Sequence, residues 1–196
     1  DQDIDSKIER TAARPLASKK ITNFNAIIFL SILLFSGLFI LLQFKLETIL
    51  VGLLCTPLIV LYPIMKRITF WPQLFLGIIF NWGVIICSVE FLGYITKEYL
   101  FLYLACVLWT IGYDTIYAYQ DIKDDKRNNI KSTAVLLKDN GKYFVLISYI
   151  LMFIIIAYLS FNQTIEILKV LVFLGLFIYI IINLIRWDHK SADNSG

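Results

Sequence analysis

Six long stretches of this chain contain no charged residue, and they constrain the fold more than any other feature. The stretches are 21–44, 48–65, 68–89, 99–113, 143–165 and 170–185. An α-helix needs about 20 residues to cross the hydrocarbon of a bilayer, within a range of about 17–25. Four stretches are long enough as they stand, and the other two become so when a charged residue at one end is included. We therefore predict an all-α integral membrane protein, a bundle of six transmembrane helices.

The predicted helices follow these stretches. Strands are excluded because the stretches are too long and do not alternate between apolar and polar residues. The predicted spans are about 23–43, 47–65, 72–93, 98–119, 143–161 and 165–186. No low-complexity tract or Ser/Gly linker divides the chain, so we expect one domain over residues 1–196.

Composition excludes several classes of protein. Apolar residues make up 59% of the chain and charged residues 17%, against roughly 25% charged in soluble domains. A water-soluble enzyme is therefore excluded. The single histidine, His189, cannot form a histidine-based metal site, and the three cysteines lack the CxxC spacing of zinc sites.

The basic residues lie mostly on one side of the predicted membrane. Of the 18 Lys and Arg residues, 15 fall in four alternate segments, which are 1–22, 66–71, 119–142 and 186–196. By the positive-inside rule these segments face the cytoplasm or its organellar equivalent. We expect a bacterial inner (plasma) membrane or a mitochondrial inner membrane.

Aspartates gather on the same side, in two groups. Asp1 and Asp5 are four residues apart and would share one face of a helix. The second group lies at offsets of 0, 3, 7 and 11, which predicts a single helical stripe leaving the bilayer, and it consists of Asp114, Tyr117, Asp121 and Asp125. Like charges at this spacing repel each other. A hard divalent cation such as Mg²⁺, with carboxylate, water and phosphate oxygens as ligands, would offset that repulsion.

Basic residues beside the aspartates are suited to a phosphate-bearing substrate. They are Arg10, Arg14, Lys66, Arg67, Lys123, Lys126, Arg127 and Lys131. Topology alone also accounts for basic loops. With the acidic groups, however, they favour an enzyme that handles a lipid diphosphate at the membrane surface. A transporter is the alternative from another class, although it would place ionisable residues near the bilayer midplane.

Four segments carry a family resemblance. DQDID matches the last two aspartates of the motif NDxxDxxxD, and SKIERTAARPLASKKIT is similar to RTxxRPLxSG with Lys19 in place of glycine. YPIMKRITFWPQ matches YPxxKRxTxxPQ, and YDTIYAYQDIKDDKRNNIKSTA contains a second DxxxD motif. The chain resembles the UbiA family of intramembrane aromatic prenyltransferases, in particular the branch that prenylates 4-hydroxybenzoate.

The resemblance implies a reaction and a set of site residues. The family transfers a polyprenyl group from polyprenyl diphosphate to an aromatic ring, here 4-hydroxybenzoate in ubiquinone biosynthesis, and releases diphosphate. It implies that two Mg²⁺ ions are held by Asp1, Asp5, Asp121 and Asp125. It also implies diphosphate contacts from Tyr62, Lys66, Arg10 and Lys131, and substrate positioning by Asp114 and Tyr117. Another aromatic acceptor within the family remains an alternative.

The resemblance also implies a longer protein. The complete fold of the family has nine transmembrane helices, and the six predicted here correspond to the third to the eighth. We therefore expect the chain to be a fragment that lacks the first two helices, the last helix and the site for the aromatic acid, and that is inactive by itself.

Overall fold

A computed structural model describes residues 2–6, 11–161 and 167–188, with Asp3 and Ile4 described by their backbone alone. These residues form α-helices joined by short turns, and no strand occurs among them. The helices are α1 (Gln2–Asp5), α2 (Asn23–Leu41), α3 (Leu46–Leu54), α4 (Thr56–Ile68), α5 (Pro72–Phe80), α6 (Gly83–Leu92), α7 (Lys97–Ala118), α8 (Ile122–Arg127), α9 (Thr133–Leu137), α10 (Gly141–Phe161) and α11 (Ile167–Arg186).

Six helical stretches of the described chain are long and apolar enough to cross a membrane. They are Asn23–Leu41, Leu46–Ile68, Pro72–Leu92, Lys97–Ala118, Thr133–Phe161 and Ile167–Arg186. The prediction of an all-α protein with six potential membrane spans is confirmed.

Two spans that the apolar pattern predicts as continuous are each broken into two helices. α3 and α4 are separated at Cys55, next to Pro57, which has no N–H to donate to the preceding turn. α5 and α6 are separated at Asn81 and Trp82. The Asn81 side-chain amide donates to Gly77 O and to Thr110 Oγ1, both at 2.8 Å. A polar residue thus satisfies a carbonyl at the break and ties it to α7.

The chain divides into two compact units, Asp1–Leu54 and Cys55–Gly196. In the first unit, Thr22 begins α2 by accepting a hydrogen bond from Asn25 N at 3.2 Å. α2 buries none of its side chains. α3 turns back towards α2, so that Gly52 faces the Leu41 side chain.

In the second unit, α7 is the central helix and packs against α5, α6 and α10. α7 approaches α10 closely at Gly112, where a Cβ atom would overlap the Tyr149 ring. A core cluster lies at the same end of the unit and contains Tyr119, Ala134, Val145, Tyr149, Leu184 and Trp187. α7 therefore runs through the interior of the unit, and its last two turns carry two of the predicted site residues.

The close approach of α7 and α10 leads to a first prediction. Gly112→Ala places a methyl group where the Tyr149 ring lies, so we expect it to destabilise the fold by about 1–3 kcal/mol. The thermal unfolding midpoint in detergent measures the effect. Gly175→Ala is the matched control, because a Cβ at Gly175 of α11 would have no atom from elsewhere in the described chain within 4 Å. Equal midpoints for both variants would contradict the packing described here.

Candidate functional site

The segment that follows α7 sets the geometry of the second acidic group. α7 ends at Ala118, and the amides of Tyr119 and Gln120 donate to carbonyls three residues earlier, at 3.1 and 3.0 Å. Such bonds tighten the last turn of a helix. The prediction of one helical stripe from Asp114 to Asp125 is wrong, because the chain turns to bury Tyr119 against Trp187, with ring centroids 5.3 Å apart.

Asp121 and Asp125 keep their helical relation within the next element. Asp121 is the residue before α8, and its carbonyl accepts from Asp125 N at 2.8 Å. Asp125 is only 8% exposed, and the hydroxyl of Ser132 lies beside its carboxylate. Asp125 is therefore shielded from solvent and lies one helical turn after Asp121, the other predicted ligand of this segment.

The Asp125 carboxylate lies in an environment that disfavours its charge. Burial raises its pKa to about 6, and the charges of Asp121 and Asp124 add to this rise. The Ser132 hydroxyl and the Lys66 ammonium act in the opposite direction and lower this pKa. The neighbouring cation thus only partly offsets the clustered negative charge, and a bound divalent cation would complete the compensation.

The donor set fits Mg²⁺, which takes one or two carboxylates and completes its shell with water and substrate phosphate oxygens. Within the residues that the structure describes, no group of three or more His, Cys, Asp or Glu side chains could hold a metal by itself. Asp121 and Asp125 are therefore a partial ligand set.

Two lysines meet at the end of α4. Lys66 lies in the last turn of this helix, and its carbonyl accepts from Lys131 N at 2.8 Å. The Lys131 ammonium donates to Ile68 O at 2.8 Å and lies 5.5 Å from the centre of the Phe70 ring. Lys131 thus neutralises the carbonyl end of α4 and connects it to the segment before α9.

The other predicted positioning residues differ in their surroundings. Tyr62 of α4 lies close enough to Asp114 of α7 to interact with it electrostatically, and both side chains are half-buried. Tyr117, in contrast, is 52% exposed. Tyr62, Lys66, Asp114, Asp121, Asp125 and Lys131 all belong to the second unit.

A buried polar network beside Asp125 was not predicted. The Gln73 side-chain oxygen accepts from Thr133 N at 3.2 Å, and the hydroxyls of Thr133 and Thr115 are 2.9 Å apart. All three side chains are buried, as is Ser132. Their only signal in the sequence is membership of the matched segments ending in PQ and KSTA.

In the first unit, the described part of the acidic segment binds the basic segment that follows it. The Asp5 carboxylate accepts from the Arg14 guanidinium at 3.1 Å, and the Thr11 hydroxyl donates to Asp5 O at 2.9 Å. Arg14 is therefore a partner of Asp5 that the predicted site did not include. Asp1 and Arg10 lie outside the described residues.

Nearly the whole chain matches one protein family. The chain matches the UbiA prenyltransferase family over residues 1–195. It belongs to this family. The resemblance drawn from the four motif segments is confirmed.

UbiA relatives share about three quarters of the chain. A mitochondrial 4-hydroxybenzoate polyprenyltransferase of Drosophila pseudoobscura pseudoobscura is 48% identical over 148 residues, which are 74% of this chain and 37% of the relative. Its namesake from Arabidopsis thaliana is 46% identical over 146 residues, again 74% of this chain and 36% of the relative. 4-Hydroxybenzoate geranyltransferase 2 of Lithospermum erythrorhizon is 41% identical, with 74% and 48% covered. The chain thus spans about a third to a half of these relatives.

A solved UbiA structure shares the fold. The apo structure of a UbiA homologue from Aeropyrum pernix K1 is 21% identical and superposes with a TM-score of 0.80. The match covers 100% of this chain and 74% of the homologue. The helical arrangement is therefore that of UbiA proteins.

The environment of Asp125 leads to a second prediction. Folding raises the pKa of Asp125 from its usual 3.8 to about 6, so the folded state holds this proton more tightly than the unfolded state. The contribution of Asp125 to the free energy of unfolding therefore falls as pH rises from 3.8 to about 6. Without divalent cations at pH 7, we expect Asp125→Asn to be more stable than wild type by about 1–2 kcal/mol. The gain should disappear at pH 4. Thermal unfolding at both pH values measures it, with Asp139→Asn as an exposed control. A variant less stable than wild type at pH 7 would contradict the expectation.

Proposed function

We propose that the protein transfers a polyprenyl group from polyprenyl diphosphate to the ring of 4-hydroxybenzoate and releases diphosphate, an early membrane step of ubiquinone biosynthesis. The observation that carries the proposal is the burial of Asp125 near the charges of Asp121 and Lys66, at the end of helices long enough to span a membrane. The family and the names of the relatives support the reaction and its acceptor.

Asp1, Asp5, Asp121 and Asp125 would hold Mg²⁺. Carboxylate oxygens are suitable ligands, and burial of Asp125 among other carboxylates favours a cation there. The bound metal would neutralise charge on the departing diphosphate.

Basic and phenolic side chains would bind the same diphosphate. Lys66 interacts with Asp125 in the structure, so an ammonium lies beside the proposed ligand set. Lys131 uses one N–H for the Ile68 carbonyl, and an ammonium has three. Tyr62 and Arg10 complete the proposed contacts. These donors would stabilise negative charge as the carbon–oxygen bond breaks.

The chemistry needs both the charged site and the apolar bundle. The bond between the allylic carbon and the diphosphate breaks, and its electron pair leaves with the diphosphate oxygen. The ring carbon ortho to the phenol then bonds to the allylic carbon and loses its proton, which restores the aromatic ring. Asp114 and Tyr117 would position the substrates, while the apolar helices hold the lipid tail and exclude water from the allylic cation.

The site would face the matrix or the cytoplasm from an inner membrane. The excess of Lys and Arg in the segments that carry the motifs supports this orientation. The mitochondrial relatives are consistent with an inner mitochondrial membrane.

The third prediction tests the reaction. Membranes containing the whole protein should convert labelled 4-hydroxybenzoate and a polyprenyl diphosphate to a prenylated product, and chelation of divalent cations should abolish the conversion. We expect Asp121→Ala or Asp125→Ala to lower the rate at least about 100-fold. Asp139→Ala, which removes an exposed carboxylate, should retain activity.

Two outcomes would exclude the proposal. One is full activity of both aspartate variants. The other is that membranes containing the protein prenylate a different aromatic acid, such as a naphthoate, and form no prenylated product from 4-hydroxybenzoate.

The fourth prediction tests orientation. In a background without Cys55, Cys87 and Cys106, a cysteine in place of Asn128 should react with an impermeant maleimide only from the motif side. A cysteine in place of Tyr94, in the turn between α6 and α7, should react only from the opposite side. The reverse pattern would invert the proposed topology.

A further inference from the structure

Ser132 lies beside the Asp125 carboxylate, at the start of α9. It precedes α9 in an extended conformation, with φ −148° and ψ 163°, and its oxygen accepts from Val135 N at 3.4 Å. Its hydroxyl lies beside the Asp125 carboxylate and favours the charged form of that group. The backbone N–H of Ile130, two residues earlier, donates to Asp125 O at 2.9 Å. The segment that ends at Ser132 is therefore attached to Asp125, and its position helps to fix the carboxylate.

Both neighbours of Ser132 are attached to other helices. Lys131 donates its backbone N–H to Lys66 O at the end of α4 and its ammonium to Ile68 O, each at 2.8 Å. Thr133 donates its backbone N–H to the Gln73 side chain of α5. Ser132 is thus held between one attachment to α4 and another to α5.

The Gln73 side chain accepts a hydrogen bond that no group within α9 could accept. Thr133 is the first residue of α9, so its N–H has no partner within that helix. Gln73 is 6% exposed and comes from a position 60 residues away to accept this hydrogen bond. The Thr133 hydroxyl also meets the hydroxyl of Thr115 from α7. Gln73 therefore satisfies a buried donor and sets where α9 begins.

We propose that Gln73 is a positioning residue, which acts through Thr133 and Ser132 to hold the Asp125 carboxylate in its ligating orientation. This inference rests on the proposed function, because it treats Asp125 as a ligand of Mg²⁺. Outer partners that orient a metal ligand affect metal affinity by about 10–100-fold. Loss of the Gln73 oxygen should thus weaken the metal site without removing any ligand.

The test compares three variants of the whole protein. Gln73→Met removes the acceptor at similar volume, and Gln73→Glu keeps an oxygen at that position. Asn81→Leu removes a partly buried hydrogen bond at the end of α5, to Thr110, away from the acidic group. Two quantities are measured: the Mg²⁺ concentration for half-maximal prenyl transfer, and the Mg²⁺ concentration that gives half of the thermal stabilisation without substrate.

We expect Gln73→Met to raise both Mg²⁺ concentrations about tenfold. Gln73→Glu should restore them to within about threefold of wild type. Asn81→Leu should lower the unfolding midpoint while leaving both concentrations unchanged. A structural role for Gln73 alone would make Gln73→Met behave like Asn81→Leu, and that result would overturn the inference.

Failure of the proposed function gives a different result. In that case wild type shows neither prenyl transfer nor stabilisation by Mg²⁺, and the inference is rejected together with it. If wild type is active and stabilised by Mg²⁺ but Gln73→Met retains the wild-type Mg²⁺ dependence, only the inference is rejected. If Gln73→Met fails to fold, Thr115→Val, which removes a hydroxyl from the same network, is judged by the same two concentrations. Unchanged values in that variant would also overturn the inference.

Discussion

The cost of placing charge next to hydrocarbon governs the arrangement of this protein. Carboxylates inside a bilayer are expensive, so they are restricted to helix ends or paired with other polar groups. Asp125 lies beyond the end of α7, where Ser132 and Lys66 stabilise its charge while burial and the other aspartates oppose it. The negative charge that these groups leave uncompensated is suited to a site that binds a cation.

The same constraint explains the polar residues within the bundle. Asn81 satisfies a carbonyl where α5 ends and contacts Thr110 on α7. Gln73 and Thr115 satisfy groups of Thr133 at the start of α9. The contacts of Asn81 with Thr110 and of Gln73 and Thr115 with Thr133 each join two different helices or their ends. Burial of apolar side chains brings the helices together, and the bonds of Gln73 and Thr115 then hold the segment beside Asp125.

Sequence reasoning predicted the number of spans because a span depends on the length and hydropathy of one continuous stretch. It singled out Asp121, Asp125 and Lys66 as candidate site residues because charged residues in an apolar chain are few, and their roles stay predictions. It was wrong about the stripe from Asp114 to Asp125, which assumed that the helix continues. The turn after Ala118 arises because Tyr119 is buried against Trp187, 68 residues further along the chain. Such a contact leaves no local pattern.

The sequence by itself determined the helical class, the potential membrane spans and the chemistry available at their ends, since these follow from local hydropathy and from residue types. Only the tertiary structure decided which of those residues meet. Lys131 was predicted from its charge to contact phosphate. In the structure it also donates hydrogen bonds to carbonyls at the end of α4. Gln73, which carries no charge, reaches the segment beside Asp125. Both roles come from hydrogen bonds across 60 or more residues, and such bonds form only after the helices have packed.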